Sequence, residues 1–232
     1  MAETEQQREP TIEEVRRAIR ACRRCPLREV YDSPVPGVGP APAPLFIIGE
    51  APGYEEVVQG EPFVGPAGQL LRALMREVGI SEADRYICNV IHCRPPGNRF
   101  PTDTSIIRTC LRWASLQLKI VRPQIVLALG GHALRFTYGS GRGITAEVAD
   151  RMQGKAPPFK PWKLKSGRVV DFMATLHPSF CLRPPNVRSS NPIMSMDVEH
   201  KQRLLRNDLE LIARRIAELR AEHRERSEQA AG

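Results

Sequence analysis

This sequence predicts an α/β fold, a three-layer α/β/α arrangement around a four-stranded, mainly parallel sheet. Three observations carry that expectation. Short apolar runs recur along the chain, as buried strands do. Amphipathic segments of helical period separate them. Three of the runs end in residues that can do chemistry, and parallel sheets bind ligands beyond the carboxyl ends of their strands.

The elements follow in order. Residues 11–21 read as a helix, with Thr11 as N-cap and Glu14 completing a capping box. Ile12, Val15, Ala18 and Ile19 form its apolar stripe. It delivers the chain to Cys22-Arg-Arg-Cys25, and a Pro/Gly-rich connector covers 31–44. LFIIGE at 45–50 is the first strand, followed by a loop over 51–65. A helix at 66–78 carries Leu70, Leu71, Leu74, Met75 and Val78 on one face. YICNVI at 86–91 is the second strand, and a helix spans about 103–120. IVLALG at 125–130 is the third strand, with a short helix at 131–138. VVDFMATL at 169–176 is the fourth. A long, heavily charged helix occupies 197–226, and the chain is expected to fray after Glu222. One domain over 1–232 accounts for this, with a core at about 12–216 and with 217–232 as a helix end and frayed tail.

Composition narrows the function classes. At 41% hydrophobic and 26% charged, the 232 residues can bury an ordinary core. No apolar run approaches the ~18 residues of a membrane span. The N-terminus MAETEQQREP is polar and carries three glutamates, unlike a signal or transit peptide. The expectation is a soluble cytoplasmic protein with no membrane partner. Its net charge is +8, and the excess is local. Residues 94–122 hold six basic side chains against Asp103 alone. Residues 151–190 hold eight against Asp171 alone. Clustered cations displace counterions from phosphates, so a nucleic-acid partner is a natural reading beside a merely solvated basic surface.

Cys22 and Cys25 form a C-x2-C pair, with Cys93 and Cys110 far downstream. Four such thiolates can hold a [4Fe–4S] cluster or a tetrahedral zinc, and spacing does not separate the two. A redox pair and buried structural cysteines are the other options. Cys88 and Cys181 sit in apolar surroundings and read as packing residues.

The strand ends carry the remaining signals. GEAPG at 49–53 turns sharply after the first strand, and its glycines allow close backbone approach to a ligand. Glu50 projects there, as a working carboxylate or an exposed loop acid. Phe63 lies in a Gly/Pro loop, placed to stack on a flat ligand or to plug the loop. Asn89 interrupts an apolar strand, and its amide must be satisfied by a base edge or by an internal partner. His177-Pro-Ser179 follows the fourth strand. His177 is either a donor to a developing anion or a satisfied core histidine. Leu182 and Arg183 set an apolar tip beside a cation, which suits a wedge in a base stack.

Together GEAPG at 49–53, PFVGPAGQLL at 62–71, NVIHCRPPGNRFP at 89–101 and HPS at 177–179 resemble a family 4 uracil-DNA glycosylase, from about residue 12 to 216. That resemblance implies a DNA repair enzyme that flips uracil out of DNA and hydrolyses its N-glycosidic bond. It implies that Cys22, Cys25, Cys93 and Cys110 ligate a [4Fe–4S] cluster. Glu50 would sit near the sugar and the attacking water, between Gly49 and Ala51 at the substrate. Phe63 would stack on the flipped base, and Asn89 would read its edge. His177, followed by Ser179, would bond the carbonyl oxygen that gains charge. Glu56 would match a pocket-side acidic position. Arg94, Arg99, Leu182 and Arg183 would engage DNA. A monomer is implied. No lysine in the motifs is placed for a Schiff base, so a monofunctional enzyme is expected.

The chain departs from the family pattern in two places: Val57 stands where many relatives are acidic, and residues 101–108 lack an acidic run. The basic loop of a covalently trapping branch of the superfamily is absent, so covalent trapping is not expected. Residues 139–168 and 184–196 look variable. The competing readings are a non-catalytic nucleic-acid-binding protein on the same fold and a zinc-stabilised structural module.

Overall fold

A computed structural model describes residues 8–30, 33–139, 141 and 143–231. The first seven residues of the polar N-terminus, and residues 31–32 of the connector, lie outside the described residues. The chain opens with α1 (Ile12–Arg20) and α2 (Leu27–Val30). Then come β1 (Leu45–Gly49), α3 (Tyr54–Gln59), α4 (Pro66–Glu77) and β2 (Arg85–Asn89). Next are α5 (Thr104–Val121), β3 (Ile125–Leu129), α6 (Gly130–Thr137) and α7 (Ile144–Met152). The last are β4 (Lys160–Lys163), β5 (Val169–Thr175), α8 (Pro178–Cys181), α9 (Pro192–Ser195) and α10 (Val198–Ala231).

The expected capping box opens α1. The Glu14 N–H donates to Thr11 Oγ1 at 3.3 Å, and the Thr11 N–H donates to Glu14 Oε2 at 2.7 Å. The sheet has five strands in the order β2-β1-β3-β5-β4, not four. The four expected strands pair in parallel. The additional strand, β4, pairs antiparallel with β5 at the edge. Its sequence, Lys-Pro-Trp-Lys, has no apolar run, because an edge strand is protected from further pairing by charge and proline.

Side chains alternate between two apolar layers, as a period of two requires. Phe46, Ile48, Tyr86, Cys88, Val126, Ala128 and Phe172 face a layer that includes Ile107, Cys110 and Ala114 of α5 and Ala133 and Leu134 of α6. Leu45, Ile47, Ile87, Ile125, Leu127 and Met173 face the other, with Leu71, Leu74 and Met75 of α4 and Leu205, Leu209 and Ile212 of α10. The three-layer α/β/α expectation therefore holds. Both faces are covered, so β1, β2 and β3 are buried at every position.

Three helical segments differ from expectation. The loop after β1 contains α3, six residues bracketed by Gly53 and Gly60 and too short to display a period. The variable stretch contains α7, whose buried Glu147 pairs with Lys160 of β4 at 2.5 Å. The final helix continues past Glu222 to Ala231. Arg215 ties it to Asp171 at 2.7 Å, and Arg220 ties it to Asp84.

β5 is locked at its carboxyl end by a buried polar cluster. Asp208 of α10 accepts from Arg151 Nε at 3.0 Å and from the Thr175 hydroxyl. Arg151 also donates to the Ala174 carbonyl at 3.0 Å. Removing one partner of a buried pair strands the other charge. Asp208→Ala is expected to cost about 3 kcal/mol in a urea titration. A loss below about 1 kcal/mol would mean that water already compensates Arg151.

Candidate active site and cysteine pocket

β1, β2, β3 and β5 end on one edge of the sheet, and a cleft of ≈ 460 Å³ opens there. Glu50, Ala51, Glu56, Phe63, Asn89, His177, Ser179 and Arg183 all line it. Gly49 lies beneath it. Arg94, Arg99 and Leu182 stand outside this lining.

Register builds the floor. Gly49 pairs with Asn89 across β1 and β2. A Cβ at Gly49 would meet the ring of Phe63 and would sit 2.5 Å from Asn89 Oδ1. Gly68 of α4 is equally required, because a Cβ there would overlap the Phe63 backbone. Two glycines therefore let Phe63 settle over the strand end, 5% exposed. Phe63 itself has φ 57, a strained value for a bulky residue.

The strain is held by specific bonds. Glu56 Oε1 accepts from the Val64 and Gly65 N–H groups at 3.0 and 2.8 Å. Its Oε2 accepts from the Gly53 N–H at 3.0 Å. Arg72 Nε donates to the Phe63 carbonyl at 3.0 Å. Both Glu56 oxygens are thus committed to backbone. The residue clamps the GEAPG turn to the Phe63 loop, a role its position at the pocket wall did not reveal in the sequence.

Asn89 is 2% exposed, and its Oδ1 has no hydrogen-bond partner. A buried orphan acceptor is costly and calls for a ligand donor. His177 is half-buried. Its Nδ1 accepts from the Ser179 N–H at 3.2 Å and lies 2.9 Å from the Ser179 hydroxyl. The neutral ring therefore carries its proton on Nε2. Burial, then Arg183, pushes the imidazole down to about 4, with Glu56 opposing. The His177 and Phe63 rings lie 5.9 Å apart and tilted. Glu50 is half-buried. Burial raises its carboxyl above the ordinary value, against the pull of His132 and Arg183.

The rim is basic and apolar. Arg94 stacks over Tyr54 at 5.5 Å and donates from Nε to Asn98 Oδ1 at 2.7 Å. Arg99 is exposed, and Leu182 is 41% exposed beside Arg183. His132, exposed at the start of α6, stacks on Phe100 at 4.1 Å and bears on Glu50. A lone histidine inside a helical segment gave no sequence signal for that placement.

The four predicted cysteines converge. Cys22, Cys25, Cys93 and Cys110 line one pocket with Arg24, Arg28, His92 and Trp113. All are free thiols. Burial, then Cys25 and Cys22, pushes Cys93 up to about 12, and burial raises Cys110 further. Among the described residues, no group of three or more His, Cys, Asp or Glu side chains is arranged to hold a single metal ion. Donors nevertheless surround the sulfurs. Trp113 Nε1 donates to Cys22 Sγ at 3.3 Å, and the His92 N–H donates to Cys110 Sγ at 3.1 Å.

A second row fixes the His92 ring. Gln117 Oε1 accepts from the Gly37 N–H at 2.9 Å and the Tyr86 hydroxyl at 2.8 Å. Its Nε2 donates to the Trp113 carbonyl at 3.2 Å and faces His92 Nε2 at 2.8 Å. His92 Nε2 must then accept, so the proton sits on Nδ1, 3.5 Å from Cys110 Sγ. The sequence marked the cysteines but not this shell, because Gln117, Tyr86 and Gly37 meet only in the fold.

Comparison with known proteins shows the family. The model of the uracil DNA glycosylase superfamily matches residues 36–216. A type-4 uracil-DNA glycosylase of Archaeoglobus fulgidus is 35% identical over 77% of this chain and 86% of its own. One from Thermotoga maritima is 38% identical over 76% of this chain and 85% of its own. A type-5 uracil-DNA glycosylase of Pyrobaculum aerophilum is 30% identical over 73% of this chain and 76% of its own. With the superfamily's model spanning most of the chain and type-4 relatives matching along most of their own length, this protein belongs to the uracil DNA glycosylase superfamily, in its type-4 branch.

Proposed function

We propose that this protein removes uracil from DNA by flipping the base into the cleft and hydrolysing its N-glycosidic bond. The observation that carries the reading is the orphan acceptor of Asn89, buried in a cleft that also holds an aromatic wall, a neutral histidine and a carboxylate. Uracil offers an N3–H donor to Asn89 Oδ1. Cytosine presents an acceptor at that position, so the same oxygen would repel it. The Asn89 amide can donate to the neighbouring carbonyl of uracil, and Phe63 stacks against the ring.

Bond cleavage leaves a cationic sugar and an anionic base. The Glu50 carboxylate stabilises the first and orients water. The Nε2–H of His177 stabilises the second as a neutral donor. Its tautomer is set by Ser179, so the donor is in place before the charge develops. No covalent nucleophile is required, and the reaction ends at an abasic site. Arg94, Arg99 and Arg183 meet phosphates, and Leu182 enters the gap left by the base. A single domain over 1–232, with its core at about 12–216, acts as a cytoplasmic monomer.

The cysteine pocket suits a [4Fe–4S] cluster. Four soft sulfur ligands surround one space, with N–H donors on two of them, Cys22 and Cys110. When bound, the cluster would supply a cross-link between the segment at 22–25 and the loop from 93, and its redox chemistry when accessible. Cys110→Ser is expected to strip the protein of visible iron–sulfur absorbance and to unlock α5 from the N-terminal segment. A colourless wild type carrying zinc would contradict the assignment.

The direct test is excision from an oligonucleotide with one uracil, followed by alkaline cleavage. After wild-type treatment, alkali is expected to break the strand at the uracil position. Asn89→Ala loses excision by about 10²–10³-fold while duplex binding survives. Comparable excision by the variant would remove Asn89 from base reading.

The pH dependence has a definite sign. Glu50 works as the anion, and its pKa is raised, so the single-turnover rate falls as pH drops through that value. His177 stays neutral down to about pH 4 and adds no loss above it. The residual activity of Glu50→Gln should lack the acid limb. A rate that rises on acidification would make the imidazolium the working form.

A further inference from the structure

Lys201 of α10 is fully buried, at 0% exposure, and none of the motifs accounts for it. Its Nζ donates to the Arg183 carbonyl at 2.7 Å and to the Pro184 carbonyl at 3.5 Å. It also sits 4.7 Å from the centre of the Phe180 ring. One ammonium thus grips three residues of the segment after His177. The placement is expensive. A buried cation forfeits hydration, and the N-terminal end of a helix carries a positive dipole that opposes it. Neighbouring Leu205 and Leu209 are apolar and fully buried, so an apolar side chain would suit the surroundings better. What the ammonium supplies, and a leucine could not, is a hold on two consecutive carbonyls.

Those carbonyls flank the rim. Phe180 and Arg183 line the cleft, and Leu182 between them is exposed. α8, which begins beside His177, packs on α10, and Cys181 Sγ contacts the Lys201 carbonyl at 3.5 Å. We infer that Lys201 is a positioning residue that holds the Leu182–Arg183 tip rigid, so that the tip enters the base stack without first being ordered. The inference rests on the uracil-excision reading above. Ordering a loose tip on binding costs affinity only where a stack must be opened. The effect of losing Lys201 therefore depends on the substrate. Duplex uracil must be extruded, whereas uracil in a single strand is already accessible.

The test compares Lys201→Met with wild type on the same uracil oligonucleotide, single-stranded and paired with adenine. Excision from the duplex should fall roughly tenfold in kcat/KM, while the single-strand value stays within about twofold. In a Leu182→Ala background the same substitution should add no further duplex loss, because the tip it positions is gone. Equal losses on both substrates would reduce Lys201 to a stability residue. Unchanged duplex excision would also overturn the inference. Should Lys201→Met not fold, Lys201→Arg carries the test. It keeps the charge in a planar, longer head that cannot reproduce the grip, so the duplex-to-single-strand ratio must still drop. Absence of uracil excision by wild type on either substrate would instead overturn the excision reading itself.

Discussion

The structure of the site depends on one pairing, Gly49 beside Asn89 at the carboxyl ends of β1 and β2. No Cβ fits at Gly49, and the space left is taken by the Phe63 ring and the Asn89 amide. Those two groups meet at that point only because parallel pairing brings the two strand ends level. A slip of one residue would turn Asn89 to the opposite face of the sheet. The strained Phe63 backbone and the unsatisfied Asn89 oxygen are both unfavourable in the free protein. Both are kept because the surrounding sheet is buried on two faces and does not relax around them.

Around that pairing, buried polar groups act as ties between segments. Glu56 joins the turn after β1 to the Phe63 loop. Asp208 joins α10 to α7 and to the end of β5. Gln117 joins α5 to β2 and to the Gly37 segment. Lys201 joins α10 to the loop after α8. Such groups add little net stability compared with apolar replacements, but they define positions narrowly. Their distribution follows the chemistry: most reach a loop that borders the cleft or the cysteine pocket. The long charged helix α10 is therefore a scaffold for the site along its first turns and not only a solvated appendage.

Much of this was legible in the sequence, for physical reasons. The four parallel strands announce themselves as continuous apolar runs because both faces of the sheet are covered. β4 does not, since an edge strand reads Lys-Pro-Trp-Lys. α3 escapes because six residues between two glycines show no period. That Glu50, Asn89 and His177 share one cleft was legible because each lies at or just past a strand end, where ligands gather. The four cysteines were legible as a set, while their spacing left zinc and a cluster both open and only the family resemblance favoured the cluster. Glu56 as a clamp, Gln117 as the orienter of His92, and Lys201 as a grip were not legible. Gln117 and Lys201 meet groups distant in sequence and look like ordinary polar residues in a linear reading, while Glu56 was marked only as a pocket-side acid and its bonds to the Gly53, Val64 and Gly65 N–H groups appear only in the folded loop.

The central claim is that the orphan Asn89 oxygen selects a base carrying an N3–H donor. The measurement closest to it is competition by free bases against excision of uracil from a single-stranded oligonucleotide, which removes extrusion from the comparison. Free uracil should inhibit, and cytosine, nearly the same in shape but with an acceptor at N3, should not. Inhibition by cytosine equal to that by uracil would contradict base selection at Asn89.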